Sequence, residues 1–460
     1  MAASNAYCVA PDGGLRLCTM IVDVDRQTLS TIRNSDLRSY VVKYIDISED
    51  FMAQVRSSGI EIDPDDYKQE TATRIDQLRQ RGGIFRNSDK SIYLNQISPA
   101  CVACQKGVGS ETFFISLKCH RSCFYCFNPN QEEYDHFSSS LRDLPQELRL
   151  RSRAGHQLQH LALTGGEPLL HPKEAIEFFR QASDSFPDAF NRLYTTGDQL
   201  DAELLRQLRD AGLDEIRFSI RMHDLEKGHR HTFDRIALAK NYIPHVMVEM
   251  PILPDTFEIM KDVLLELERL DVSSINLLEF CYPLNNAETY NRKGYKVKHH
   301  PYRVLYNYWY AGGLPIARSE LVCLDLMLFA LDAKLKMGVH YCSLENKHTG
   351  QLYQQNTEQR PPQNYYFSPN DYFLKTAKVF GADIRQTRKI LRHQKSTPHN
   401  SNDNPGYLEF HVSQIDKLKG LNVEVGLSYN VFETRQGEPY LRELKLALVK
   451  PETFDLTHDA

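Results

Sequence analysis

From about Glu111 to Ser343 the chain alternates short apolar runs with amphipathic stretches of helical period, and that alternation sets the fold class. Strand-like runs fall at 113–117, 160–164, 192–196, 215–220, 245–252 and 274–280, with helix-like segments at 173–185, 201–211, 231–240 and 258–270. The second of these helices shows the logic: Leu204, Leu205 and Leu208 form one apolar face, and Gly212 ends it. Repeated strand–helix units imply parallel strands joined by right-handed crossovers. The expected fold is α/β: a partial (β/α)6 barrel with a smaller N-terminal α/β module and a C-terminal extension. Ligands of such folds gather at the carboxyl ends of the strands.

The flanks are read as separate pieces. Residues 1–98 carry apolar runs at 20–24 and 40–47 and a polar helical stretch near 67–81, a small N-terminal module. The core is expected over 99–345, and a helical extension with a linker over 346–404. In that extension the basic run 385–395 reads as a solvated helix face, and 396–405, rich in Ser, Asn, Asp and Pro, as linker. Strand-like runs at 407–412, 422–432 and 439–449 belong to a small C-terminal unit, 405–460. A formal charge of −5 supplies no global basic field, so DNA is not an expected partner. The most apolar stretch, 321–331, is short and holds Asp325, which suits a buried core helix and not a membrane span. The opening residues lack the basic stretch and apolar run of a secretory signal, so a cytoplasmic location is expected. Ten cysteines in a reducing compartment point to metal ligation more than to disulfides.

Three of them form Cys119-His-Arg-Ser-Cys123-Phe-Tyr-Cys126, directly after the first strand. Three thiolates so close can hold three corners of a cubane iron–sulfur cluster and leave the fourth iron open to a cofactor. The plain alternative is a structural zinc, which usually takes four ligands in paired spacings, with His120 or a distant cysteine as the fourth. Thr164-Gly165-Gly166-Glu167-Pro168 follows the second strand. Alone it would be a turn.

Together the two segments resemble the radical S-adenosylmethionine (SAM) superfamily: a Cys-x3-Cys-x2-Cys triplet and, one strand–helix unit later, a Gly-Gly-Glu segment. The resemblance implies a [4Fe-4S] cluster on Cys119, Cys123 and Cys126 that binds SAM and cleaves it reductively to a 5′-deoxyadenosyl radical. It implies that Gly165, Gly166 and Glu167 hold the methionyl ammonium, the glycines by close backbone approach and the carboxylate by charge. Tyr125 matches the family's aromatic position near the adenine. Thr196, in Thr195-Thr196-Gly197, with Ser219 and Arg221 matches contacts to ribose and carboxylate. For each taken singly, an ordinary polar residue at a strand end is an equal reading.

Cys101-Val-Ala-Cys104 precedes the triplet in a Pro-bearing segment expected to be loop, and is half of a tetrahedral metal or iron–sulfur site. Cys342 and Cys323 are candidate completing ligands of an auxiliary [4Fe-4S] cluster. A buried free thiol is the competing reading for Cys323. Cys281, at a strand end, competes as a ligand or serves catalysis as a hydrogen-atom donor to a product radical. The Cys101–Cys104 pair, the run Cys126-Phe-Asn-Pro-Asn-Gln131 and the segment His340-Tyr-Cys-Ser-Leu-Glu-Asn346 resemble maturases of ribosomally made peptides, of the splicease type. Those lyases excise a tyramine equivalent and leave an α-keto-β-amino amide. The partners so implied are a precursor peptide, a small leader-recognition protein and an electron donor such as flavodoxin or ferredoxin. The alternating stretch 423–429 reads as a half-exposed strand that could pair with such a peptide. Two rivals are another radical chemistry (epimerisation, a thioether or C–C crosslink, or action on a small metabolite) and a non-catalytic iron–sulfur or zinc protein.

Overall fold

The computed structural model describes residues 7–9, 15–17 and 21–458, apart from 229, 302–312, 393–398 and 403–405. It divides into two compact units, one of Val55–Arg303 with Trp309–Gln351, the other built mainly from Met1–Gln54 and Leu352–Ala460.

The larger unit is organised by one nine-stranded sheet. Ser110–Phe114, His160–Thr164, Phe190–Thr195, Glu215–Phe218, His245–Ile252, Ser274–Glu279 and Gly338–Cys342 run parallel in chain order. The seventh, beyond the six expected, is the apolar run that ends in Cys342. Ser91–Leu94 then pairs antiparallel with Gly338–Cys342, and Ile84–Arg86 with Ser91–Leu94. No pairing joins the two edge strands, so the partial barrel is open. Residues 55–98 therefore belong to this unit and do not form a separate N-terminal module.

The helices form where the apolar period and the caps agree. Ala202–Asp210 is capped by the Asp201 carboxylate, which accepts from Leu204 N at 2.8 Å, and it ends at Gly212 with φ +96°. Leu205 and Leu208 are buried, while Leu204 is half-buried. Pro172–Ser185, His231–Ala239 and Phe257–Arg269 lie within one or two residues of expectation. The first strand does not: pairing covers Ser110–Phe114, and Ile115 and Leu117 are buried just past it. Cys101 and Cys104 are on a short helix, Pro99–Cys104, with proline at its first position, and not on a loop. The run 321–331 is the buried part of helix Ser319–Asp332, and no helix among the described residues is long and apolar enough to cross a membrane.

The smaller unit is an antiparallel sheet in the order His399–Asn402, Tyr407–Phe410, Leu374–Phe380, Val425–Arg435, Glu438–Val449, Ile21–Asp23. Leu37, Val41 and Ile45 of helix Ser35–Ser57 pack there with Phe380 and Leu446. Val425–Arg435 is buried on both faces as far as Phe432 and sits between two partners. It is thus neither half-exposed nor an edge open to a peptide. Of the expected linker 396–405, residues 396–398 and 403–405 lie outside the described residues, and His399–Asn402 is a strand. The basic run holds a helix, Asp383–Arg392, and its last three residues lie outside the described ones.

Leu205→Ala should cost about 2–5 kcal/mol of stability, because a fully buried leucine leaves a cavity. Leu204→Ala should cost clearly less, and urea denaturation of the two variants side by side measures the difference.

Candidate active site

The cysteine triplet follows the first parallel strand on a loop tied to its neighbours. Gly166 N donates to Ser116 O at 3.1 Å and Glu167 N to Lys118 O at 2.8 Å, so the Gly-Gly-Glu segment lies along the residues that lead into Cys119. A Cβ on Gly166 would stand 2.0 Å from Lys118 O, and one on Gly165, whose φ is +127°, 2.6 Å from Ser116 O. The glycines are required by this backbone contact. On the far side of the loop Asn128 Nδ2 donates to Gly165 O at 2.7 Å, and Asn286 Nδ2 to Phe124 O at 3.1 Å. Cys126 N closes a turn on Cys123 O at 3.1 Å.

Cys119 is exposed, and Cys123 and Cys126 are half-buried. Partial desolvation of their sulfurs raises the Cys119 and Cys126 thiols above the ordinary range, and the neighbouring cysteines add to both. A metal would reverse this, since ligation requires thiolate. Among the described residues no three His, Cys, Asp or Glu side chains converge as on a single ion. A cubane does not demand that convergence, because each thiolate takes a different iron.

Glu167 is buried, and its carboxylate is turned inward. One oxygen accepts from Leu169 N at 3.1 Å and Thr195 Oγ1 at 2.7 Å, the other from Thr196 N at 2.8 Å and Thr196 Oγ1 at 2.9 Å. It joins the second and third strand ends. Arg221 is likewise engaged: its fork grips Asp224, with Nη2 2.5 Å from Oδ1 and Nε 3.0 Å from Oδ2, and the guanidinium lies beside the Cys123 thiol. Ser219 is exposed at the end of its strand, with its N–H donated to Thr195 O at 3.0 Å. Tyr125 packs edge-on against Phe124 and Phe280, at 5.1 and 5.8 Å between ring centroids. Burial first, and then Cys123, raises its phenol far above the ordinary range.

Sequence reasoning missed Asp198, just past Thr195-Thr196-Gly197. Its carboxylate meets His120 Nε2 at 2.5 Å, Arg121 Nε at 2.7 Å and His231 Nε2 at 2.7 Å. Burial raises the group, but these three donors outweigh it and hold it well below the usual carboxylate range. The only hint in sequence is an acid beside a glycine turn.

The second cysteine set lies against a charged ladder on one face of the sheet. Ser98 Oγ and Arg217 Nε both bind Glu215, at 2.7 and 2.6 Å, and Arg217 Nη1 reaches Glu249 at 2.7 Å. Asn276 Nδ2 donates to Glu249 at 2.7 Å, His340 Nδ1 lies 2.8 Å from Asn276 Oδ1, and His340 Nε2 lies 2.8 Å from Ser91 Oγ. Burial drives His340 down to about 3, so the ring is neutral. With the Asn276 amide nitrogen committed to Glu249, its oxygen takes the Nδ1 proton. Cys101 Sγ accepts from this ladder, from Asn276 Nδ2 at 3.3 Å and Arg217 Nη2 at 3.5 Å.

Cys342 is on the same face as His340, two residues away along the strand. Asn346 Nδ2 donates to its sulfur at 3.2 Å. One turn on, Gly350 lies against Cys104, where a Cβ would stand 2.7 Å from the Cys104 carbonyl oxygen. Cys101, Cys104 and Cys342 influence one another electrostatically, and burial pushes Cys342 up to about 12. Cys104 is an exposed residue, yet desolvation of its sulfur raises its thiol as well, whereas the Lys347 ammonium lowers Cys104, Cys281 and Cys342 alike. Arg192 is buried nearby, with Nε and Nη1 unpartnered, and its charge lowers Cys104. An orphaned buried cation beside paired cysteines fits an anionic thiolate-bound group.

Cys323 does not join this set. It is fully buried on helix Ser319–Asp332, whose Glu320 accepts from Tyr341 Oη at 3.0 Å and so covers the opposite face of the strand. It reads as a packed thiol. Cys281 is half-buried on the short strand Cys281–Tyr282, where Gly313 passes so close that a Cβ would stand 2.9 Å from its sulfur.

Residues 113–267 match the family model described as the radical SAM superfamily. This stretch is a radical SAM domain. A provisionally named glycyl-radical enzyme activating enzyme of Methanocaldococcus jannaschii is 26% identical over 222 residues, 44% of this chain and 56% of its own. A GTP 3′,8-cyclase of Nautilia profundicola is 32% identical over 108 residues, 23% of this chain and 33% of its own. The solved structure of Streptococcus suis SuiB bound to the precursor peptide SuiA aligns over 64% of this chain and 57% of that one, at 10% identity and a TM-score of 0.36. The chain thus spans between a third and somewhat over half of these two curated relatives.

Within the radical SAM domain, Gly166→Ala should separate the Gly-Gly-Glu segment from residues 116–118. Reconstituted iron per chain should fall sharply while far-ultraviolet circular dichroism stays near wild type, since the clash is confined to two loops.

Proposed function

We propose that the chain is a radical SAM enzyme that modifies a ribosomally made precursor peptide, by excision of a tyramine equivalent. The observation that carries the radical SAM part is the hydrogen-bonded assembly of the cysteine loop, the Gly-Gly-Glu segment and Thr195–Thr196 at adjacent strand ends. Cys119, Cys123 and Cys126 would hold the [4Fe-4S] cluster, and Gly165, Gly166, Thr196, Ser219 and Tyr125 are at hand for the cofactor. A reduced cluster held there would supply the one electron needed for reductive cleavage of the C5′–S bond of SAM. Glu167 orients the cofactor segment through Thr195 and Thr196, and Tyr125 with Phe280 and Tyr290 keeps water from the adjacent wall.

Cys101, Cys104 and Cys342 would hold an auxiliary [4Fe-4S] cluster, with the cations Arg192, Arg217 and Lys347 around it. Cys281, kept as a thiol by burial, suits a hydrogen-atom donor, and it is also within reach of Lys347's field as a competing fourth ligand. The peptide substrate rests on the resemblance to splicease-type maturases. The electron donor and a leader-recognition protein follow from the same reading. The cyclase relative favours a second substrate class, a purine nucleotide.

Cys123→Ala should abolish formation of 5′-deoxyadenosine under dithionite, whereas Cys101→Ala should lower iron per chain by up to half and leave that cleavage in place. Wild-type cleavage by Cys123→Ala would remove the radical SAM reading, and unchanged iron in Cys101→Ala would remove the second cluster.

Mass spectrometry of a tyrosine-containing precursor co-expressed with the chain tests the substrate. Loss of the tyramine mass is expected. Constant mass with deuterium uptake would mean epimerisation, and turnover of GTP with no change in peptide would mean the nucleotide class.

A further inference from the structure

The Asp198 carboxylate is a junction between two segments with different tasks. His120 and Arg121, two of its donors, lie between the first and second cysteines of the triplet. The third, His231, opens helix His231–Ala239 and stands 3.4 Å from Arg121 Nη2. On its other side the Thr196 hydroxyl is 3.2 Å from Asp198 Oδ2 and 2.9 Å from Glu167 Oε2, so a single proton serves two carboxylates. A displacement of Thr196 or Glu167 therefore changes what Asp198 receives, and Asp198 in turn holds the loop that presents Cys119.

We propose that Asp198 is a positioning residue that couples the cofactor-binding segment to the cysteine loop, so that occupation of one sets the geometry of the other. This rests on the radical SAM reading, and it goes beyond that reading by assigning the coupling to one side chain. The carboxylate touches neither cysteine directly. It acts through His120 and Arg121 on the loop and through Thr196 on the cofactor side. The Asp198 side chain is 15% exposed, which shelters the carboxylate end of these hydrogen bonds. A simple strut would hold the fold together but would not link the cluster's electronic state to SAM.

The test uses the full chain, reconstituted anaerobically, as wild type, Asp198→Asn and His231→Asn. Iron per chain, the paramagnetic resonance spectrum of the dithionite-reduced cluster with and without SAM, and SAM affinity by calorimetry are measured. Asp198→Asn should keep its iron, lose most of the SAM-induced spectral change and bind SAM about tenfold more weakly, as loss of a charged hydrogen-bond hub implies. His231→Asn changes no residue of the cysteine loop or the cofactor segment, removes one donor to Asp198 along with the contact to Arg121, and should show the same effects in smaller degree, about threefold. Wild-type affinity and spectral response in both variants would overturn the proposal. So would loss of iron from soluble Asp198→Asn, which would make Asp198 a cluster-assembly residue. If Asp198→Asn does not fold, the spectral response of His231→Asn decides. A wild-type chain without a cluster signal would sink the radical SAM reading itself, whereas a normal wild type beside unaffected variants sinks only the coupling.

Discussion

The site depends on a contact between two stretches of bare backbone. Gly165 and Gly166 lie so close to residues 116–118 that no side chain fits between them. The two hydrogen bonds made there are ordinary, each about 1 kcal/mol net, so their worth is geometric. They fix where the chain stands when it enters Cys119, and they deliver Glu167 beneath Thr195 and Thr196. From that one contact the cysteine loop, the Gly-Gly-Glu segment and the end of the third strand become a single hydrogen-bonded body, to which Asp198 adds the fourth strand's helix.

The ladder on the sheet face is the opposite kind of feature, costly in itself. Glu215, Arg217 and His340 are buried, and isosteric apolar residues would serve stability at least as well. Every member has a partner, which is the condition under which such a network is tolerated. Arg192 departs from that rule, with two unpartnered nitrogens beside Cys104. On the proposed reading, that unmatched cation would face the anionic auxiliary cluster.

How much of this was legible in the sequence depended on how local the determinant was. Helices came out within a residue or two because apolar period and caps such as Asp201 lie within the segment itself. The first strand was misplaced because Ile115 and Leu117 are buried beneath a loop, and an apolar run reports burial, not pairing. Pro99–Cys104 is too short to show a helical period, and its proline reads equally as loop. The alternation at 423–429 suggested one wet face, but helix Ser35–Ser57, distant in sequence, shares its core with that sheet. Cys323 and Cys342 could not be told apart by spacing, because the sheet that separates their faces exists only in three dimensions. Asp198 was invisible for a similar reason, since its donors come from two other segments.

The two cysteine sets also differ in how their cations are spent, and this bears on what each can hold. Around the triplet, Arg121 is matched by Asp198 and Arg221 by Asp224, so little net positive charge faces the loop. A cluster there can receive a cationic sulfonium without repulsion from the protein. Around Cys101, Cys104 and Cys342 the balance tips the other way: Arg217 is paired with Glu215 and Glu249, but Arg192 keeps two free nitrogens and Lys347 favours three thiolates at once. On the proposed reading, that field would favour an anionic thiolate-bound group over a second molecule of a cationic cofactor.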